Sequence, residues 1–144
     1  MPARPHLLIV EAPYYQDIVA ALVEGAVAVL EADGASYERI TVPGALEIPA
    51  AIQAAATQGQ FDGFVALGCV IRGETSHYDY VCAESAHGLQ VLMLQRGLAI
   101  GNGILTVENR EQAEARADVN RKNKGGEAAR AALALLHIQR RFAP

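Results

Sequence analysis

The chain of 144 residues has the length of one domain, and its 51% hydrophobic residues are enough to build a substantial core. It contains no Trp and only 6% aromatic residues, so much of that apolar content consists of small side chains. Small side chains suit close helix packing and extensive subunit contacts, and we therefore expect an oligomer. The net charge of −4 argues against a nucleic-acid partner, because proteins that bind the phosphate backbone usually carry a basic face.

The apolar run near the N-terminus covers only residues 7–10, which is too short for a signal peptide or a membrane span. The two cysteines, Cys69 and Cys82, form no CxxC pair and lack the spacing of metal ligands. We interpret both as small buried hydrophobic residues. These features predict a cytoplasmic protein of a single domain, residues 1–144, with no membrane partner and no metal site.

The first half of the chain alternates short apolar runs with longer helical patterns. Residues 7–10 are apolar throughout, as expected for a parallel strand that is covered on both faces. Apolar residues recur at every fourth position over 16–33 and are followed by Gly34, which predicts a helix with a glycine C-cap. A second strand is predicted over 37–42, and an Ala- and Ile-rich helix near 47–57.

The second half continues this alternation. Residues 64–70 form the clearest buried strand, and a long helix is predicted over about 77–95. A fourth strand follows over 98–106, and two further helices are predicted over 111–117 and from 126 to about 141. Strands that alternate with helices form βαβ units with right-handed crossovers. The sequence therefore predicts an α/β fold, a three-layer αβα sandwich with a central four-stranded parallel sheet of the flavodoxin-like type.

Ligands of such sheets bind beyond the carboxyl ends of the strands, so the loops that follow the strands are the candidate sites. After the first strand, Tyr14 and Tyr15 could stack on a planar ligand, or one could cover the edge of the core while the other is solvated. After the second strand, Pro43 and Gly44 bring the backbone close to the cleft. Glu47 follows in a first helical turn, where it could bind a polyhydroxy ligand or complement the helix dipole.

After the third strand, residues 73–77 contain a glycine and two hydroxyl residues and lead into a helix. This turn is a credible anion site, because free N–H groups point outward at the start of a helix. His77 lies in the same turn. A lone histidine is more often structural, but this position favours proton transfer. Beyond the fourth strand, Arg121, Lys122 and Lys124 form a local basic cluster, which is either a solvated loop or a set of cations over a phosphate.

Three segments together resemble the lumazine synthase family of riboflavin biosynthesis. They are VPGALEIP at 42–49, GCVIRGETSHYDY at 68–80, and GILT, EQA, Arg116 and NKG spaced over 103–125. The resemblance extends over roughly residues 6–140 in the family's order. It implies the condensation of 5-amino-6-(D-ribitylamino)uracil with 3,4-dihydroxy-2-butanone 4-phosphate. The products are 6,7-dimethyl-8-ribityllumazine, phosphate and water, and the reaction needs no metal or organic cofactor.

The resemblance also implies a substrate site that is shared between neighbouring subunits of a homo-oligomer. His77 takes the family's proton-transfer position, and Arg116 takes the position that pairs with the substrate phosphate. Part of the stretch from residue 102 onward is expected to come from the adjacent chain. The implied substrate-binding residues are Tyr14, Ala45, Leu46, Glu47, Val70, Ile71, Gly73, Glu74, Thr75, Asn102, Arg116 and Lys124.

Three positions depart from the family's usual pattern. Tyr14 stands where Phe is frequent, Leu46 where Phe or Trp is common, and Asn102 where many members have Phe. A ligand site with fewer aromatic walls leaves an alternative open, namely a flavin- or lumazine-binding paralogue with low or no turnover, because fold does not fix function. The retention of His77 and Arg116 favours the enzyme.

The N-terminal segment bears on the size of the assembly. Family members form pentamers, and some join these into shells of sixty subunits. In this chain Pro2 and Pro5 lie in a short N-terminal segment and cannot donate hydrogen bonds to a neighbour's sheet. We therefore expect a homopentamer and not the larger shell.

Overall fold

The computed structural model describes residues 4–144, which form a four-stranded parallel sheet with helices on both faces. Pro2, on which the pentamer prediction partly rests, lies outside the described residues. The elements are β1 (His6–Glu11), α1 (Gln16–Asp33), β2 (Ser36–Thr41), a short 3-10 helix (Ala45–Glu47), α2 (Ile48–Ala56), β3 (Gly63–Ile71), α3 (His77–Arg96), β4 (Ala99–Val107), α4 (Arg110–Ala117) and α5 (Lys124–Arg141). The strands lie in the order β2-β1-β3-β4, as the flavodoxin-like prediction requires.

The two faces of the sheet bury separate apolar clusters, because successive side chains of a strand point to opposite faces. On β1, Leu7 and Ile9 belong to the cluster under α1, α4 and α5. Leu8 and Val10 belong to the cluster under α2 and α3. All four side chains are at most 2% exposed. The predicted three-layer sandwich is therefore confirmed.

Helix α1 begins and ends at the predicted residues. Its buried side chains recur at three- and four-residue intervals between Ile18 and Leu30, so one face of the helix packs on the sheet. Gly34 ends the helix with a positive φ of 81°, and its N–H bonds to the carbonyl groups of Glu31 and Leu30. Glycine adopts this left-handed conformation without a steric penalty, which explains the predicted stop.

Small residues let α5 approach β4 closely. A Cβ atom at Gly101 would lie 1.8 Å from the carbonyl oxygen of Ala128, and one at Gly103 would lie 2.9 Å from the Ala128 Cβ. Ala129 and Ala132 of the same helix are fully buried. The alanine-rich composition therefore serves the packing inside one chain as well as any contact between chains.

Helix α5 begins earlier than its sequence pattern predicts. The predicted start was residue 126, whereas the helix begins at Lys124. Asn123 adopts a left-handed conformation with a φ of 46°, and its side-chain oxygen accepts a hydrogen bond from the Gly126 N–H at 3.3 Å. Lys124 therefore lies in the first turn of a helix and not in a solvated loop. Within residues 4–144, no helix is long and apolar enough to cross a membrane.

Candidate functional site

A cavity of about 320 Å³ opens at the carboxyl end of the sheet, where β1 and β3 end side by side. From these two neighbouring strands the chain continues in opposite directions, to β2 on one side and to β4 on the other. Ligands of doubly wound sheets bind at this switch point, because the diverging loops leave a crevice between them. The lining residues are Ala12, Tyr14, Tyr15, Pro43, Gly44, Ala45, Cys69, Val70, Ile71, His77 and Val81.

The cavity brings together five residues of the predicted site from three different loops. They are Tyr14 after β1, Ala45 after β2, and Val70, Ile71 and His77 around the loop after β3. A groove of about 410 Å³ between α1 and α5 is larger, but helix side chains line it and it lies away from the strand ends. We therefore take the cavity at the switch point as the candidate site.

The two tyrosines of the first loop have different environments. The Tyr14 side chain is 76% exposed, whereas Tyr15 is half-buried and packs against the core under α1. Their rings meet edge to face, with centroids 4.9 Å apart. Burial raises the pKa of the Tyr15 hydroxyl, which keeps it protonated. Tyr15 therefore covers the edge of the core, and the exposed Tyr14 lines the cavity.

His77 is the first residue of α3 and is exposed at the cavity. Its backbone N–H donates to the Thr75 hydroxyl oxygen at 3.3 Å. Gly73, Glu74 and Thr75 form the exposed loop that precedes it; they adjoin the cavity without lining it. Among the described residues, nothing lies within 4 Å of a Cβ atom built on Gly73, so the loop leaves open space at this point.

Cys69 forms part of the cavity wall, although no role in binding was predicted for it from the sequence. Its side chain is buried, and burial raises the pKa of the thiol to about 11. The thiol is therefore neutral near pH 7 and acts as a small apolar surface, as its interpretation from the sequence predicts. Cys82 is half-buried, and both cysteines are free thiols in the described chain.

Leu46 and Glu47, the other predicted residues of the second loop, follow directly after Ala45. Leu46 is 45% exposed and Glu47 is exposed as well. Both belong to the short 3-10 helix that begins at Ala45, and neither lines the cavity in the described chain. Pro43 and Gly44 line it instead. The signal for these two residues was present in the sequence, because a Pro-Gly pair directly follows the second strand.

Asn102, Arg116 and Lys124 lie away from the cavity. Asn102 is exposed in the middle of β4, and its side-chain oxygen accepts a hydrogen bond from the Ile104 N–H at 3.0 Å. Arg116 is half-buried on α4 and donates to the carbonyl oxygen of Gln112 at 3.1 Å. The Lys124 Nζ lies 2.7 Å from a carboxylate oxygen of Glu127. A single chain therefore does not unite these three residues with His77.

The matches to known proteins cover almost the whole chain. A family model described as 6,7-dimethyl-8-ribityllumazine synthase matches residues 4–140. The chain belongs to this family. The membership that was predicted from three sequence segments is thus confirmed.

Individual relatives agree with the family match. A protein named 6,7-dimethyl-8-ribityllumazine synthase from Sphingopyxis alaskensis is 60% identical over 137 residues, which cover 95% of this chain and 96% of that protein. Proteins of the same name from Erythrobacter litoralis and Agrobacterium fabrum are 61% and 57% identical over 135 and 146 residues. These matches cover 94% and 97% of this chain, and 96% and 98% of the two relatives.

Proposed function

We propose that this chain is a 6,7-dimethyl-8-ribityllumazine synthase, an enzyme of the transferase class. It condenses 5-amino-6-(D-ribitylamino)uracil with 3,4-dihydroxy-2-butanone 4-phosphate and releases phosphate and water, the penultimate step of riboflavin biosynthesis. The family match over residues 4–140 carries this conclusion. The cavity at the switch point supports it, because Tyr14 and His77 meet there.

The pyrimidine substrate binds in the cavity with its ring on the exposed face of Tyr14. Val70 and Ile71 supply the opposite apolar wall at the end of β3, next to the neutral thiol of Cys69. A volume of about 320 Å³ lies in the range of small-molecule sites. Leu46 and Glu47 stand at the rim, where Glu47 accepts hydrogen bonds from the ribityl hydroxyl groups.

The phosphate of the second substrate binds beside the start of α3. The free backbone N–H groups of a helix N-terminus favour an anion, and the loop of Gly73, Glu74 and Thr75 leads directly into it. His77, at the same helix start, transfers protons during imine formation, phosphate elimination and ring closure. These steps need no strong electrophile, so much of the rate acceleration comes from holding the two substrates together.

The site is completed by a neighbouring chain in a homopentamer. Within residues 4–144, neither lysine nor arginine lines the cavity, although a substrate phosphate calls for cationic partners. Arg116 and Lys124 of the adjacent chain supply these cations, and its exposed Asn102 completes the wall. This arrangement explains why these three residues lie away from the cavity of their own chain.

The whole chain, residues 1–144, acts as a single lumazine synthase domain in the cytoplasm. The free thiols of Cys69 and Cys82 agree with a reducing compartment. The alternative is a paralogue that binds flavin or lumazine with low or no turnover. The observation that favours it is the replacement of family aromatic residues by Leu46 and Asn102.

Incubation of the purified chain with both substrates tests the proposal. We expect the fluorescence of the lumazine product to appear together with one phosphate per product. His77→Ala should slow turnover by about 10²-fold, at the lower end of the contribution of general acid–base groups. His87→Ala is the matched control, because His87 is an exposed histidine further along α3. Binding of lumazine or riboflavin without any turnover would support the paralogue instead.

A further inference from the structure

Arg72 connects two loops and a helix beside the cavity. Its backbone N–H donates to the carbonyl oxygen of Val107 at the end of β4, at 2.9 Å. Its guanidinium Nε lies 2.7 Å from a carboxylate oxygen of Glu108, and Nη1 lies 3.3 Å from one of Asp79. The guanidinium carbon lies 4.3 Å from the centre of the Tyr78 ring. One side chain thus joins the loop after β4 to the first turn of α3.

The first turn of α3 is held from outside the helix by Arg72 and by Thr106 near the end of β4, which interacts with the Tyr78 side chain. Within the described chain, the Ser76 side chain makes no capping hydrogen bond, although serine is a common N-cap residue. His77 donates its backbone N–H to Thr75 over a long 3.3 Å. Tyr78 and Asp79, which follow directly, are the residues that Arg72 contacts. The position of His77 therefore depends in part on the contacts that reach the helix from Arg72.

We propose that Arg72 is a positioning residue, which holds the first turn of α3 and thereby sets the place of His77 at the cavity. This inference rests on the proposed function. Arginine suits the role because its planar guanidinium can pair with two carboxylates while it stacks on an aromatic ring. Glu108 holds the guanidinium from the loop after β4. The sequence alone did not indicate this role, because the three contacting residues come from two separate segments of the chain.

The pairs of Arg72 are partly exposed, with 40% of its side-chain surface accessible, so they contribute little to stability. A positioning role therefore predicts a loss in kcat without a comparable loss of stability. A misplacement of 1 Å can cost about 10²-fold in rate. We expect Arg72→Gln to lower kcat by a smaller factor, about 3- to 10-fold, because the contact of Tyr78 with Thr106 remains and limits the displacement. The KM for the ribitylaminouracil should stay unchanged. Arg72→Lys, which keeps the charge, should have a kcat between that of Arg72→Gln and that of the wild type.

The control is Arg96→Gln, which removes an arginine from the last turn of the same helix. We expect its kcat to equal that of the wild type. If Arg72→Gln does not fold, as judged by circular dichroism, Glu108→Gln removes the carboxylate that pairs with Arg72 and leaves the arginine in place. The Glu108→Gln variant should then have a lower kcat than the wild type.

A double-mutant cycle separates positioning from a general structural effect. If Arg72 acts through His77, Arg72→Gln should cause no further loss of kcat in a His77→Ala background. A wild-type kcat in the Arg72→Gln and Glu108→Gln variants would overturn the inference. A loss of kcat in the double variant that equals the product of the two single losses would also overturn it. A wild-type protein that forms no product would refute the proposed function itself, before any variant is compared.

Discussion

Replacement of Gly101 by alanine tests the close approach of α5 to the sheet. The added methyl group would lie 1.8 Å from the carbonyl oxygen of Ala128 and 3.2 Å from the backbone nitrogen of Ala132. Both are backbone atoms, so no change of side-chain rotamer relieves the clash, and the helix has to shift away from β4. Overpacking in a core costs about 1–3 kcal/mol, and we expect about 3 kcal/mol because a whole helix has to move.

Thermal unfolding, followed by circular dichroism, measures this loss. All samples need the same chain concentration, because the Tm of an oligomer depends on it. For a chain of this length, about 3 kcal/mol corresponds to a decrease in Tm of about 10 °C. Gly68→Ala on β3 is the matched control, since a methyl group there would meet described atoms at 3.6 Å or more. A Gly101→Ala variant that melts within about 2 °C of the wild type would refute the packing of α5 on β4.

Arg116, the Arg39–Glu11 pair and the buried thiol of Cys69 can each be tested separately. Arg116→Ala should lower kcat/KM for the butanone phosphate by about 10- to 100-fold, because a charged hydrogen bond contributes about 1.5–3 kcal/mol. Steady-state kinetics test this, and an effect on the ribitylaminouracil alone would contradict it. Arg39→Gln should destabilise the fold by about 2 kcal/mol in urea unfolding, because it leaves the buried carboxylate of Glu11 without its charged partner at a position that is half exposed on the arginine side. Adding Glu11→Gln should recover part of this loss, and no recovery would contradict the explanation. The raised pKa of Cys69, about 11 instead of 9.0, should make alkylation at pH 8 about 100-fold slower than that of an ordinary thiol, with a rate that rises up to about pH 11. A rate that levels off at pH 9 would contradict it.

The strands and helices were predictable where the local pattern is determined by burial. A run of apolar residues marks a strand that is buried on both faces. The predicted strand over 64–70 therefore differs from β3 by only one residue at each end. The start of α5 depends on a contact between distant residues. A Cβ atom at Gly25 of α1 would lie 2.2 Å from the side-chain oxygen of Asn123, so the α1–α5 packing fixes where that helix begins. No periodicity within α5 reveals this.

The location of the candidate site was predictable, but the set of residues that line it was only partly so. Parallel strands end at the same edge of a sheet, which brings Tyr14 and His77 to one cavity. Cys69 of β3 lines the same cavity as Tyr14 and Tyr15 of the loop after β1, and the sequence position of Cys69 does not indicate this. The contacts of Arg72 depend on Glu108, which is 36 residues away along the chain.

The proposed site of this synthase combines His77 of one chain with Arg116 of its neighbour, and mixed oligomers test this arrangement. Co-expression of His77→Ala and Arg116→Ala chains with different affinity tags yields mixed oligomers, which purification on both tags isolates. At equal amounts, about one quarter of the sites in a closed ring then have both residues intact. At a butanone phosphate concentration well below its wild-type KM, we predict that turnover per chain rises to about a quarter of the wild-type value, well above that of either homogeneous variant. Turnover no higher than the mean of the two homogeneous variants would contradict a site shared between chains.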